Sequence, residues 1–146
     1  MDSIFPFLDP QVAEPSPVAA LPVAREVKWD FDLDQPVTRG GEPVFVERAE
    51  AVAVWTWNAL HTERWRWALY TGVYGNEIDS LIGQPYTLQV KQAEIPRLLR
   101  ECLMVSPYVQ DLQDIRSSFA GSKLTISFTL ISIYGRVNAM EVKYHV

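Results

Sequence analysis

The residues best suited to chemistry lie close together between positions 61 and 77. Within that segment Arg64 and Arg66 alternate with Trp65 and Trp67. Arginine stacked on tryptophan is common where proteins bind single-stranded nucleic acid and where proteins bind one another. The formal net charge of the chain is −5, which does not attract a polyanion. The pattern therefore favours a protein partner and argues against nucleic acid.

An internal role for Arg64 is an alternative that the sequence leaves open. Arg64 would then pair with Glu63, with Glu77 or with a backbone carbonyl, and would fix the bend that follows the preceding helix. The two roles are compatible, because one side chain can support a surface that its neighbours present to a partner.

Acidic residues in the same region raise the question of hydrolysis. A glycosidase needs two carboxyl groups that face one cleft about 5–9.5 Å apart. Glu77 and Asp79 are two positions apart on a predicted helix, so their side chains point about 200° away from each other. Glu63 with Glu77 stays geometrically open, but nothing in the sequence favours that pair. We predict no catalytic residue.

No metal site or cofactor is expected either. The two histidines lie far apart in the sequence, and Cys102 sits on the apolar face of a predicted helix. Asp30, Asp32 and Asp34 are not followed by the glycine and the glutamate of a calcium loop. Their alternation with apolar residues instead indicates the solvated face of a strand.

Length and composition fit one soluble domain. The 146 residues, 48% of them hydrophobic, are enough to bury a core without a disulfide or a metal. No apolar run approaches the roughly 18–20 residues of a membrane span, and no secretion signal is recognisable at the start. The single cysteine fits a reducing compartment. We expect a protein that is assembled in a cytoplasm and has no membrane contact.

The first 26 residues differ from the rest. Residues 1–25 hold five of the ten prolines, so this segment cannot form a helix and resists sheet pairing. It is either a disordered tail or an extended arm that lies on a neighbouring subunit. Four large apolar residues between Ile4 and Leu8 favour the arm. We therefore predict an arm over residues 1–26 and a domain over residues 27–146.

Strands at both ends and helices in the middle must position the candidate residues. This order predicts an α+β fold with an N-terminal hairpin, central helices and C-terminal antiparallel strands that form a mostly antiparallel sheet packed on helices. The predicted elements are a hairpin over 27–46, a buried helix over 47–60, an extended stretch over 65–69, a short helix around Ile78–Ile82 ended by Gly83, a helix over 87–104 kinked or split at Pro96, and strands over 115–119, 124–130 and 140–146.

A series of short motifs resembles a known family. The motifs, in order, are Leu60-His61-Thr62-Glu63-Arg64, Tyr70, Tyr74-Gly75-Asn76-Glu77 and Leu81-Ile82-Gly83. Together they resemble the XkdS-like family of small baseplate proteins from contractile phage tails and tailocins. They are more distantly similar to the baseplate wedge family that older naming calls lysozyme-like, which includes sheath initiators. The likeness spans about residues 27–146.

The match holds residue by residue at most motif positions, with two departures. The wider family has a glycine directly before its Glu-Arg pair, where this chain has Thr62. It also has a Glu-Pro-Arg signature that holds other wedge subunits, where this chain has Ser106-Pro107-Tyr108 and keeps only the proline. The matching positions are Thr62, Glu63, Arg64, Tyr74, Gly75, Glu77 and Leu81.

The resemblance implies a non-enzymatic structural protein of a tail baseplate. Such proteins resemble the core of the tail sheath subunit and offer sheet edges to the first sheath ring. The strand over 140–146 suits this role because an unblunted edge strand is a template for strand addition. The candidate partner-binding residues are Thr62, Glu63, Arg64, Trp65, Arg66, Tyr74, Gly75, Glu77, Pro107, Tyr108, Met140, Val142, Tyr144 and Val146.

The resemblance also implies partners and a location. The expected partners are baseplate wedge subunits and the tail sheath protein, with hub or tube proteins as further candidates. Several copies would surround the tail axis in a phage or tailocin particle that is assembled in the bacterial cytoplasm. The alternatives are a peptidoglycan hydrolase of the tail and a soluble protein–protein adaptor outside any phage particle.

Overall fold

The computed structural model describes residues 20–67, 69 and 72–145. Most of the predicted arm, residues 1–19, lies outside the described residues. The described elements, in chain order, are β1 (Arg25–Val27), β2 (Trp29–Asp30), β3 (Gln35–Pro36), β4 (Thr38–Arg39), β5 (Glu42–Pro43), β6 (Phe45–Glu47), α1 (Arg48–Leu60), α2 (Ile78–Ile82), α3 (Leu88–Leu103), β7 (Val109–Ala120), β8 (Lys123–Ser132) and β9 (Gly135–His145).

The N-terminal hairpin is present, but its first strand is interrupted. β1 pairs antiparallel with β6, β2 with β3, and β4 with β5. The predicted strand alternation through Asp34 is wrong, because the Asp30 carboxylate accepts hydrogen bonds from the backbone N–H groups of Asp32 and Leu33, both at 3.0 Å. An aspartate that bonds its own backbone in this way starts a turn in place of a ladder.

Helix α1 is buried on two sides, as its apolar composition predicts. Ala51 and Val54 pack with Val46 in a small cluster under the hairpin. Val52 and Leu60 belong to the main core between α1, the other helices and the sheet. Seven of the thirteen residues of α1 are buried, so this helix joins the hairpin to the rest of the domain.

The other helices match their predicted ranges closely. Gly83 ends α2 in a right-handed conformation with φ −75°. The side chain of Thr87 caps α3 by accepting from the N–H of Val90 at 3.3 Å. Pro96 lies inside α3, which continues from Leu88 to Leu103 as one helix, so the predicted alternative of two short helices is wrong.

The three C-terminal strands form one antiparallel sheet with β8 in the middle. The buried residues of β8 alternate from Leu124 to Phe128; α1 packs against β8 and β9, and α3 packs against β7. This arrangement confirms the predicted α+β class, although β7 and β9 both begin earlier than the alternation alone predicts. Among the described residues, no helix combines the length and the apolar character needed to cross a membrane.

Candidate functional site

The segment 61–77, called the motif loop from here on, closes on itself. Glu63 and Asn76 form an isolated parallel bridge. The N–H of Arg64 donates to the carbonyl of Asn76, and the N–H of Asn76 donates to the carbonyl of Thr62, both at 2.9 Å. The predicted extended stretch over 65–69 is wrong at its start, because Trp65 has a φ of 70° within a turn.

Asn76 is the residue that pins the motif loop, and it was absent from the predicted site. Its side-chain N–H group donates to the carbonyls of Leu60 at 2.8 Å and Thr62 at 3.0 Å, and its side-chain oxygen accepts from the N–H of Ile78 at 3.0 Å. Asn76 is only 2% exposed. A neutral amide side chain can both donate and accept hydrogen bonds in this way. The asparagine directly after the motif glycine Gly75 was therefore the signal in the sequence that could have identified this residue.

Gly75 is required by the close approach of the two ends of the loop. Its φ is 103°, and a Cβ atom there would lie 2.8 Å from the carbonyl oxygen of Thr62 and 3.0 Å from the nitrogen of Arg64. Any other residue would push the strands of the loop apart. The motif position of Gly75 therefore has a structural cause.

The internal network proposed for Arg64 is present. The Nε–H of Arg64 donates to the carbonyl of Gly72, and its guanidinium lies 4.0 Å from the carboxylate of Glu77. The guanidinium also lies 5.5 Å from the ring centre of Trp65, whose Nε1–H donates to Glu77 at 3.3 Å. Arg64 thus ties together the middle and the end of the motif loop.

The outer surface of the motif loop is apolar and aromatic. Trp65 is 72% exposed, and Trp67 and Leu69 are also exposed. Arg66 covers Trp67 and pairs with Glu63 at 2.7 Å on the surface. Tyr70 of the sequence motif lies outside the described residues. Exposed aromatic rings supported by a buried network are typical of protein-binding surfaces.

The remaining motif residues face inward. Thr62 donates its hydroxyl to the carbonyl of Asn58 at 2.8 Å. The ring of Tyr74 meets the ring of Trp55 edge-on at 6.1 Å. These contacts attach the motif loop to α1.

Three acids of this region line one open cleft of about 340 Å³: Glu63, Glu77 and Asp79. Burial is the main reason that the pKa of Asp79 lies above its ordinary value, and the charge of Glu63 adds to the shift. Glu63 and Glu77 each face an arginine. A raised carboxyl pKa beside another acid is what a hydrolase would need, so this cleft is the one observation in favour of that alternative.

Pro107 and Tyr108 lie outside the motif loop, near the end of the predicted arm. The hydroxyl of Tyr108 donates to the carbonyl of Pro22 at 2.6 Å, and the N–H of Ala24 donates to the hydroxyl of Tyr134 at 3.0 Å. The two tyrosines therefore hold the chain where it leaves the predicted arm. Pro107 and Tyr108 also line a cavity of about 460 Å³, and Trp55 lies between that cavity and the motif loop.

The candidate residues of the last strand point into the core. Met140, Val142 and Tyr144 are 8%, 1% and 7% exposed. Their side chains are therefore not available to a partner, and Val146 lies outside the described residues. What β9 can offer is its backbone, because no strand among the described residues pairs with its outer side.

The register identifies which backbone groups face outward. Two-residue turns join Ala120 to Lys123 and Ser132 to Gly135, and such turns are closed by hydrogen-bonded pairs. Lys123 is therefore hydrogen-bonded to β7 and Ser132 to β9. Since the direction of the backbone groups alternates along a strand, the N–H and C=O groups of the even-numbered residues of β8 bond to β9. Met140, Val142 and Tyr144 face those residues in the register. The N–H and C=O groups of the odd-numbered residues 141–145 are directed to the free edge.

The fold and these surfaces define a small α+β protein with an aromatic loop and an open sheet edge. The sequence matches the family described as "Contractile injection system sheath initiator" over residues 25–135, and the chain belongs to this family. It is 31% identical over 94 residues to "Phage-like element PBSX protein XkdS" of Bacillus subtilis (strain 168), an alignment that covers 64% of this chain and 67% of that protein.

Family membership confirms the resemblance seen in the motifs. The chain is a structural component of a contractile tail, and its place is in the tail of the particle. Interaction with other tail or sheath components follows from the same membership.

Proposed function

We propose that this chain is a non-enzymatic baseplate protein that links wedge subunits to the first sheath ring and starts the sheath by accepting a strand on β9. The observation that supports this most directly is the open edge of a three-stranded sheet, whose residues 140–145 pair with β8 without a break in register. Unpaired N–H and C=O groups in a regular row are a template for an added strand.

The other edge of the sheet is less suitable along its first half. β7 has register shifts on both sides of residues 111–113, and Asp114 has a φ of 54°. Asp111 pairs with Arg100 of α3 at 3.0 Å, and Arg100 also donates to the carbonyl of Leu112. Bulges and charged pairs of this kind hinder strand addition.

The proposed wedge contact is on the helical side of the domain. The exposed rings of Trp65 and Trp67 form one part of it, and the surface at Pro107 and Tyr108 forms the other. Since the Glu-Pro-Arg signature is replaced, docking there would use the tyrosine and apolar contacts. Hub or tube proteins are further candidate partners, and several copies would surround the tail axis after assembly in the bacterial cytoplasm.

The proposed domain spans residues 27–146 and follows an arm over residues 1–26, whose part before Pro22 extends across a neighbouring subunit. The contacts of Pro22 and Ala24 with Tyr108 and Tyr134, and the pairing of Arg25 and Glu26 with β6, hold the end of the arm on its own domain.

Electron microscopy of particles from a producer that lacks this gene tests the proposal. Naked tubes or baseplates without sheath support a sheath initiator. Complete sheathed particles that fail to lyse cells contradict it and favour a hydrolase or an accessory adaptor. Zymography of the purified chain, with Asp79→Asn as the matched variant, distinguishes these two: a clearing that the variant loses supports the hydrolase.

A further inference from the structure

A shelf of aromatic rings lies beside the free edge of β9. Trp57 and His61 are four residues apart on α1 and stack with ring centres 4.2 Å apart. Phe31 lies 4.9 Å from Trp57 on one side, and Tyr144 lies 6.5 Å from His61 on the other. Phe31, Trp57 and His61 are called the aromatic shelf from here on.

A cavity at one end of the shelf shows that the shelf lies at the β9 edge of the sheet. The cavity has a volume of about 280 Å³ and is lined by Phe31, Ala53 and Trp57 on one side and by residues of β9 between Val137 and Glu141 on the other. No residue of β7 or β8 lines it, so it opens at the outer edge of β9.

The shelf and the strand edge run side by side over similar lengths. Ala53, Trp57 and His61 follow one line of α1, and eight residues of helix rise about 12 Å. Met140 lines the cavity at one end of the shelf, and Tyr144 lies near His61 at the other end. The stretch of β9 from Met140 to Tyr144 rises about 14 Å. A strand of about four or five residues added beside this stretch of β9 would therefore run along the shelf.

The Nε1–H of Trp57 and the Nδ1 of His61 already have hydrogen-bonding partners within the chain. The Nε1–H of Trp57 donates to the carboxylate of Asp34 at 2.8 Å, and Trp29 donates to the same oxygen at 3.0 Å. The Nδ1 of His61 lies 2.7 Å from the carbonyl of Trp57. A partner therefore gains most from the shelf through apolar side chains.

We infer that the aromatic shelf and its cavity select the strand that β9 accepts. This inference rests on the proposed strand addition and names the chemistry of the partner. The partner is an extended segment of a sheath subunit with large apolar side chains at alternate positions. Its backbone pairs with residues 141–145, and its inward side chains cover Trp57 and enter the cavity. A slip by one residue would turn the apolar set away from the shelf, so the shelf also fixes the register.

The test uses the 146-residue chain and overlapping synthetic peptides that cover the sheath subunit of the same particle. The indole N–H signal of Trp57 in NMR, assigned with Trp57→Phe, reports binding. In each peptide that binds, serine replaces the residues at either the odd-numbered or the even-numbered positions. One set is expected to abolish binding and the other to change the Kd by less than about threefold. Equal effects of the two sets, or no binding peptide at all, would overturn the inference.

Two matched variants separate the shelf from the strand edge. Phe31→Ala is expected to weaken binding about tenfold, whereas Leu33→Ala, an exposed residue of the same turn outside the cavity, is expected to leave it unchanged. Full binding by Phe31→Ala would contradict the role of the shelf but not strand addition. Full binding by Lys143→Pro, which removes an outward N–H, overturns strand addition itself.

The chain's own arm is the competing occupant. A variant that lacks residues 2–19 is expected to keep the Trp57 signal of the full chain. A shift of that signal on deletion, reversed by adding a peptide of residues 1–19, would identify the arm as the occupant and overturn the inference.

Discussion

Asn76 and Tyr144 donate to the same carbonyl oxygen, that of Leu60, at 2.8 and 2.7 Å. Leu60 is the last residue of α1, where carbonyl groups lack partners within the helix. One donor comes from the motif loop and the other from the edge strand β9. The two surfaces that we assign to different partners are therefore fixed to one point of the domain.

Asn76→Ala is expected to destabilise the chain by about 2–4 kcal/mol, because it removes three hydrogen bonds, two of them buried, and leaves the N–H of Ile78 without its acceptor. Tyr144→Phe is the matched control. It should cost only about 1 kcal/mol, since Leu60 keeps the bond from Asn76. Urea unfolding measures both, and equal losses would show that Asn76 does not pin the loop.

Gly75→Ala should destabilise the chain by more than about 2 kcal/mol, because both the positive φ and the contact with Thr62 oppose a Cβ atom. Gly121, at φ 60° in the turn between β7 and β8, has open space around it. Gly121→Ala should therefore cost only about 1–2 kcal/mol. A smaller loss for Gly75→Ala than for Gly121→Ala in thermal unfolding would contradict the close approach.

Arg64→Ala is expected to lower the stability by about 1–3 kcal/mol, because Arg64 joins the carbonyl of Gly72 to the region of Glu77. Arg66→Ala removes an exposed pair with Glu63 and an exposed contact with Trp67, and should cost at most about 1 kcal/mol. If calorimetry shows no change in Tm for Arg64→Ala while particle assembly fails, Arg64 acts on a partner and not within the loop.

The support of the aromatic shelf by Asp34 depends on pH. The hydrogen bond from Trp57 is the main reason that the pKa of Asp34 lies below its ordinary value. The stabilisation by this carboxylate is complete above its unfolded-state pKa of about 3.9 and is lost as the pH falls through the lower folded-state pKa. The indole signal of Trp57 should therefore titrate below pH of about 3.9, and Asp34→Asn should remove this step. Titration at or above the ordinary value would refute the bond.

The elements with regular spacing could be predicted from the sequence. α1 carries apolar residues on most of its surface, and apolar residues alternate with polar ones in β8 from Leu124 to Leu130, because both elements pack against the core. The open edge of β9 also follows from the order of the strands. What alternation could not show is that the outward backbone groups belong to Glu141, Lys143 and His145, because this depends on the register that the turns set.

The motif loop could be predicted only in part, and the aromatic shelf was not predicted. Local hydrogen bonds to the Asp30 carboxylate interrupt a clear strand pattern. The spacing of apolar and polar residues gives no sign of such bonds. Asn76 acts on Leu60, sixteen residues away, and Trp57 acts on Asp34, twenty-three residues away. Such pairs depend on how the elements pack, so the sequence indicated the motif residues but not the contacts that explain them.

The most direct test of strand addition changes one backbone group on the edge of β9. Deletion of residues 140–146 would remove Val142 and Tyr144 from the core, so a point variant is needed. Lys143→Pro removes an outward N–H, and Lys143→Ala removes the same side chain but keeps that N–H. Each variant is expressed in a producer that lacks the natural gene, and particles are examined by electron microscopy. We expect sheathed particles with Lys143→Ala and sheathless tubes or baseplates with Lys143→Pro. Normal sheathed particles with a folded Lys143→Pro variant would contradict strand addition at β9.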